Sequence, residues 1–147
     1  MREEMIRIWN SHIQSRDIVY HLGDFDLKKD VVQIARRLNG SKYLVPGNHD
    51  RKAIKDPAFR REFAEVFPYS YAEISINRQM IVLSHFPYWE WNQIHRGAWH
   101  LHGHVHGKPT GIPGKILDVS ADGNNLRPWS FERIEAYMSR RETRSHH

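Results

Sequence analysis

Four times along this chain a short apolar, β-rich run stops at a small residue and gives way to a polar cluster. Residues 18–22 lead into Gly23-Asp24-Phe25-Asp26, and residues 42–45 lead through Pro46 into Gly47-Asn48-His49-Asp50. Residues 79–83 lead into Ser84-His85-Phe86-Pro87, and residues 99–102 into Gly103-His104-Val105-His106. Short runs of this composition, bounded by turn residues, read as strands. Ligand sites in open sheets gather beyond the carboxyl ends of strands, so four such clusters can converge on one pocket. A glycine opens three of them, which lets the backbone turn sharply and deliver the next side chain inward.

Helical patterns fill the intervals. Met5, Ile6, Ile8, Trp9 and Ile13 make an apolar stripe over residues 2–15; Val31, Val32, Ile34, Ala35 and Leu38 make a second, closed by Asn39-Gly40. A charged helical stretch is expected over residues 57–66. Asn77-Arg78 reads as a tight hairpin turn between strands 71–76 and 79–83, and a further strand is expected at 115–119. Ser130 caps a last helix carrying Ile134, Tyr137 and Met138. Strands interleaved with helices argue for an α/β (α+β) layered fold, and 147 residues fit a single domain over 1–147.

Composition narrows the chemistry. Cysteine is absent, which excludes disulfides, thiolate metal sites and cysteine nucleophiles. No apolar run approaches the roughly 20 residues that span a bilayer, and Met1-Arg2-Glu3-Glu4 lacks the apolar stretch of a signal peptide, so a cytoplasmic protein is expected. The net charge is +5, but the lysines and arginines are dispersed, as on a solvated surface, and nucleic acid is a secondary expectation.

Between them the four clusters offer a carboxylate, an amide oxygen and several imidazoles. That donor set suits Mn, Fe, Co, Ni or Zn and is poor for a dedicated Ca or Mg cage. Each piece alone has a plainer reading. An Asp after a strand caps helices, Asn-His-Asp forms turns, a single His85 fits a core, and the alternating His100, His102, His104 and His106 could line an exposed strand. Their conjunction, in order, favours a metal site. His21, among apolar neighbours, reads as a core or supporting histidine, and His95 as a loop residue. Tyr88, Trp89 and Trp91 either stack a nucleobase or pack as a loop over the sheet.

Gly23-Asp24, Gly47-Asn48-His49-Asp50, His85 and Gly103-His104-Val105-His106, with the connecting text around Asp17–Phe25, Leu83–Pro87 and Asn125–Ser130, resemble the calcineurin-like metallophosphoesterase superfamily, in its small single-domain bacterial and phage form. The resemblance implies a four-layer α/β/β/α sandwich and a binuclear metal centre. It makes Asp24 the carboxylate bridging two metals, with Asn48, His85 and His104 completing one shell and His106 binding the other metal. His49, hydrogen-bonded to Asp50, would act as general acid, and a metal-bound hydroxide would attack a phosphomonoester or phosphodiester.

One departure from the pattern is evident. The family opens with a strand ending in Asp-x-His, and here Met1 begins directly on the helix. The chain therefore resembles an N-terminally truncated member. One metal site keeps four protein ligands and the other only Asp24 and His106, so one strong and one weak transition-metal site (Mn, Fe, Ni or Zn) is expected. Asp26 and His102 are the candidates to stand in. The expected partner is a phosphate-ester substrate, with a nucleotide or nucleic acid next; no membrane is expected, and self-association through an unpaired sheet edge is. The alternatives are a metal-binding protein with little catalysis and a basic nucleic-acid-binding protein.

Overall fold

Among the residues that the computed structural model describes (2–25, 30–105, 108–120 and 127–145), seven strands form two sheets accompanied by four α-helices. In sheet A, β1 (Ile18–His21), β2 (Ser41–Leu44) and β3 (Glu65–Val66) run parallel in that order. In sheet B the order is β4 (Tyr71–Ile76), β5 (Gln79–Ser84), β6 (Trp99–His102) and β7 (Ile116–Asp118). There β4 and β5 are antiparallel, and β5, β6 and β7 are parallel. The fold is thus mixed α and β. No helix among the described residues is long and apolar enough to cross a membrane.

Local chemistry sets most of the elements. Asn77 and Arg78 both take positive φ, 51° and 69°, the backbone that a two-residue hairpin needs to match strand twist. The Ser130 side chain accepts from the Arg133 amide and starts α4 (Phe131–Met138). Helix α1 (Arg2–His12) lays Ile6 against Ile34 and Leu38 at α2 (Val31–Arg37). Trp9 Nε1 donates to the Asn39 carbonyl at 2.9 Å, and Asn10 accepts from the Asn39 amide, so α1 is fastened where α2 ends.

The expected helix over 57–66 is shorter than its charge pattern suggests. Asp56 caps it, Pro57 occupies its first turn, and α3 stops at Arg60. Phe59, Phe63 and Val66 then turn into a buried cluster with Leu44 and Ala35. The Ala64 amide bonds the Lys42 carbonyl at 2.7 Å, and Val66 pairs beside Leu44 as β3. Pairing with β2 overrides helical propensity here, since a ladder plus three buried apolar side chains outweighs a few tenths of a kcal/mol per residue.

The sheets are joined near their carboxyl ends. Leu22 and Val45, which follow β1 and β2, are buried with Ala72, Ile81, Leu83, Trp99 and Leu101 of sheet B and with Ile134 and Met138 of α4. Burying each of these large side chains contributes roughly 1.5–3 kcal/mol. The same packing keeps the ends of β1, β2, β5 and β6 together. On the other side of sheet B, Val82 and Ile116 pack under Trp91, Ile94 and Ala98. Strand β1 pairs with β2 along one edge, and Ile18 at its start is 63% exposed.

His100 is buried in that outer layer with both ring nitrogens used. Its Nδ1 donates to the Val82 carbonyl at 3.1 Å, and its Nε2 accepts from the Tyr88 amide at 3.0 Å. Tyr88 stacks on the ring at 5.5 Å. Burial pushes the pKa of His100 down to about 4, with His102 adding to the effect and the Val82 carbonyl opposing it. Because the folded value lies below the unfolded one of about 6.5, unfolding takes up a proton in the interval between them. The stabilising share of His100 is whole above about pH 6.5 and is lost as pH falls toward 4, on the order of 3 kcal/mol. Urea midpoints measured from pH 7 to 4.5 should therefore fall, and His100→Gln should flatten that decline while lowering stability at pH 7. An unchanged slope in the variant would contradict this assignment.

Candidate metal centre

The site is built from backbone geometry first. Beyond β1 the chain turns at Gly23, with φ of +100°, and Asp24 follows in the left-handed region at 53°. Beyond β6, His104 does the same at 71°. Such conformations cost about 1 kcal/mol or more outside glycine and persist where the surroundings enforce them. Gly23 and Gly47 press against each other. A Cβ on Gly23 would stand 2.5 Å from the Gly47 nitrogen and 2.6 Å from His85 Nδ1, and one on Gly47 would stand 2.5 Å from Asp24 Oδ1. No side chain fits at either position.

Asp50 holds the two loops together. It is 1% exposed; its Oδ2 accepts from the amides of Asp24 and Gly47, at 2.6 and 2.7 Å, and its Oδ1 accepts from the Phe25 amide at 2.8 Å. The hydrogen bond expected between Asp50 and the His49 ring is not formed; the carboxylate is turned onto these three amides instead. The His49 side chain is exposed, without a hydrogen-bond partner among the described residues, while its amide donates to Asp24 Oδ1 at 3.0 Å.

His85 sits directly after β5 and is 1% exposed. Its Nδ1 lies 2.7 Å from the Leu22 carbonyl, which can only accept, so Nδ1 carries a proton and in the neutral ring Nε2 presents a lone pair. Around Nε2 stand Asn48 Oδ1 at 3.0 Å, His104 Nδ1 at 3.1 Å and Asp24 Oδ2 at 3.2 Å. A carboxylate oxygen facing an imidazole lone pair in a largely buried setting is repulsive unless a cation lies between them. The ligand atoms of Asp24, His85 and His104 all lie within 4.8 Å of one another, a group able to hold a metal ion. Two imidazoles, one carboxylate and an amide oxygen suit a borderline divalent transition metal. Phe86 walls the cluster, its ring edge-on to both His85 at 4.8 Å and His104 at 4.7 Å.

The four strand ends named in the sequence thus deliver Asp24, Asn48, His85 and His104 to one point. His106 and Asp26 lie outside the described residues. His21 supports the site from behind: its Nδ1 accepts from the Gly23 amide at 3.2 Å, and its ring lies between Trp9 and Phe25. Burial lowers its pKa, against the opposing pull of Asp50. Of the aromatic residues after His85, Tyr88 and Trp91 are packing groups. Tyr88 lies on His100, and Trp91 is buried with its Nε1 on the Ala98 carbonyl. Trp89 is 61% exposed beneath the Arg144 guanidinium. His95 bonds the Arg144 carbonyl in the C-terminal segment.

Removing charge from Asp50 should loosen this arrangement more than its distance from any ligand atom suggests. Asp50→Asn turns an amide NH₂ toward backbone donors and should lower stability by about 1–3 kcal/mol. It should also weaken Zn binding roughly ten- to a hundred-fold through misplacement of Asp24 and Asn48. Thermal denaturation and calorimetric titration of the same variant read both effects. Wild-type Zn affinity in a folded Asp50→Asn protein would contradict the tie.

No protein-family model matches the chain. Over 144 residues it is 31% identical to the uncharacterized protein MJ1445 of Methanocaldococcus jannaschii, an alignment spanning 91% of this chain and 73% of that one. Among solved structures it is similar to the protein of unknown function AQ665 from Aquifex aeolicus. That likeness has a TM-score of 0.70 and 24% identity, and it covers 92% of this chain and 84% of that one. It is also similar to a novel archaeal phosphodiesterase, with a TM-score of 0.55 and 18% identity, over 81% of this chain and 74% of that one. Both structural likenesses show a shared fold. At 31% identity over nearly its whole length, the chain belongs to the same family as the Methanocaldococcus jannaschii protein.

Proposed function

We propose that the protein is a metal-dependent phosphoesterase of the calcineurin-like type. The observation that carries this reading is the set of lone pairs on Asp24, Asn48, His85 and His104 brought together beyond the ends of β1, β2, β5 and β6. The shared fold with an archaeal phosphodiesterase supports it. The four-layer sandwich belongs to the same reading, supported by α1 and α2 packed together beside sheet A and by the cluster joining the two sheets.

In this reading Asp24, Asn48, His85 and His104 hold a divalent ion, with Mn, Fe, Ni and Zn all compatible with the donors. The ion would supply Lewis-acid polarisation of the phosphoryl oxygens and of water. The reading extends to a second metal shared between Asp24 and His106. The remaining work falls to the chain. His49, exposed and anchored through its amide to Asp24, donates a proton to the departing oxygen. Asp50 positions both loops and touches no reacting atom. His85 keeps its lone pair inward because its other nitrogen is bound to Leu22.

Hydrolysis of bis(p-nitrophenyl) phosphate and p-nitrophenyl phosphate, with and without added Mn, tests the proposal and separates diester from monoester preference. Turnover should vanish with chelator. His85→Ala and Asn48→Ala should lower it by roughly a hundred-fold or more, whereas His49→Ala should lower it by roughly a hundred-fold while metal binding persists. Turnover unaffected by chelator or by His85→Ala would overturn the proposal. Metal binding without hydrolysis of either ester would favour a non-catalytic metal protein.

A further inference from the structure

Directly after His85 the chain exposes an aromatic ring against the metal centre. Phe86 is 38% exposed, and its ring centroid lies 4.8 Å from that of His85 and 4.7 Å from that of His104. Its neighbours fix the backbone that carries it. The Ser84 hydroxyl donates to the Phe86 carbonyl, and Pro87 restricts the residue before it to extended conformations. The His85 amide donates to the Ser70 carbonyl at 3.3 Å, one pair beyond Tyr71 and Ser84 in the β4–β5 ladder. The ring is thus seated on two imidazoles, and its backbone is tied on both sides.

The site is open to solvent at this end of the sheets. Asn48 and His49 are exposed, and Asp24 and His104 are half-buried, while His85 is buried. The other aromatic side chains of the segment are occupied. The Arg144 guanidinium lies over the exposed Trp89 ring at 5.1 Å, and Arg144 Nη2 donates to the Trp89 carbonyl. Tyr88 and Trp91 pack around His100. Phe86 therefore combines exposure with contact to the candidate ligands. A ring left partly in water beside a polar cluster forgoes burial, which a planar ligand restores.

Resting on the phosphoesterase reading, we propose that Phe86 is a substrate-contacting residue that sets specificity. Its ring receives a planar ring on the ester group that the phosphorus retains, so aryl and nucleoside diesters are preferred over alkyl ones. The departing group goes to the loop after β2, where His49 stands as proton donor. Stacking accepts any planar face, so the chemistry recognised is a planar ring attached to a phosphoryl group.

Calorimetric titration of Zn-loaded protein with phenylphosphonate and methylphosphonate, neither of which has an ester bond to hydrolyse, reads the contact without turnover. Phenylphosphonate should bind roughly ten-fold more tightly. Phe86→Leu, which keeps apolar bulk, should remove most of that advantage, and Phe86→Tyr should keep it, with Zn affinity unchanged in both. A kinetic comparison uses the thymidine 5′-, phenyl and methyl esters of p-nitrophenyl phosphate with added Mn, each of which loses p-nitrophenolate to water. The ring-bearing esters should have kcat/KM roughly ten-fold above the methyl ester, and Phe86→Leu should remove the gain through KM. A larger gain for thymidine than for phenyl assigns a nucleoside, and equal gains assign any aryl ester. Equal binding of the two phosphonates would overturn the proposal, as would a Phe86→Leu protein that binds Zn and both phosphonates more weakly alike, the mark of a packing role. Ring-selective phosphonate binding without hydrolysis of any ester would uphold the contact and count against the phosphoesterase reading. Hydrolysis of the methyl ester with no ring preference would do the reverse.

Discussion

The hydrogen bond from His85 Nδ1 to the Leu22 carbonyl joins the end of sheet B to the end of sheet A at the point where the candidate site is built. It fixes the tautomer of a buried imidazole and turns its lone pair toward Asp24 and Asn48. Without it, a neutral His85 could carry its proton on Nε2 and donate it to Asp24 in an ordinary hydrogen bond. With it, the neutral ring leaves the surrounding oxygens facing a lone pair, an arrangement that calls for a cation. The Gly103 amide donates to the His85 carbonyl at 3.1 Å, so the same residue also ties down the loop that carries His104.

The surroundings of that bond are stiff. Asp50 gathers three amides from two loops, and Gly23 and Gly47 approach too closely to admit a side chain. Asp24 and His104 sit in left-handed conformations that the local sequence alone does not favour. Each device sacrifices some intrinsic stability to hold ligand atoms within a few ångströms. The packing of Leu22 and Val45 with Leu83 and Leu101, just behind the site, offsets that cost.

Much of this was legible in the sequence wherever the determinants are local. The Asn77-Arg78 turn, the Ser130 cap and strand β6 follow from short-range chemistry. Asp24, Asn48, His85 and His104 could be picked out because each follows a strand at a turn residue. Strand β3 could not, because its existence depends on Leu44 and Lys42 lying alongside it, more than twenty residues away in sequence. The resemblance paired Asp50 with His49, but its partners are backbone amides, which carry no side-chain signature. The aromatic residues after His85 were conspicuous candidates, and Tyr88 and Trp91 are occupied in packing around His100.

The central claim is that His85 holds its proton on Nδ1 and offers Nε2 to a cation shared with Asp24. Nitrogen-15 NMR of the labelled histidine side chains reads both nitrogens directly, in metal-free protein and after addition of Zn, with His85→Gln to assign the signals. The account predicts a protonated Nδ1 and an unprotonated Nε2 for His85 before metal, and a shift confined mainly to Nε2 after it. An imidazolium with both nitrogens protonated, paired to Asp24 and indifferent to Zn, would contradict it.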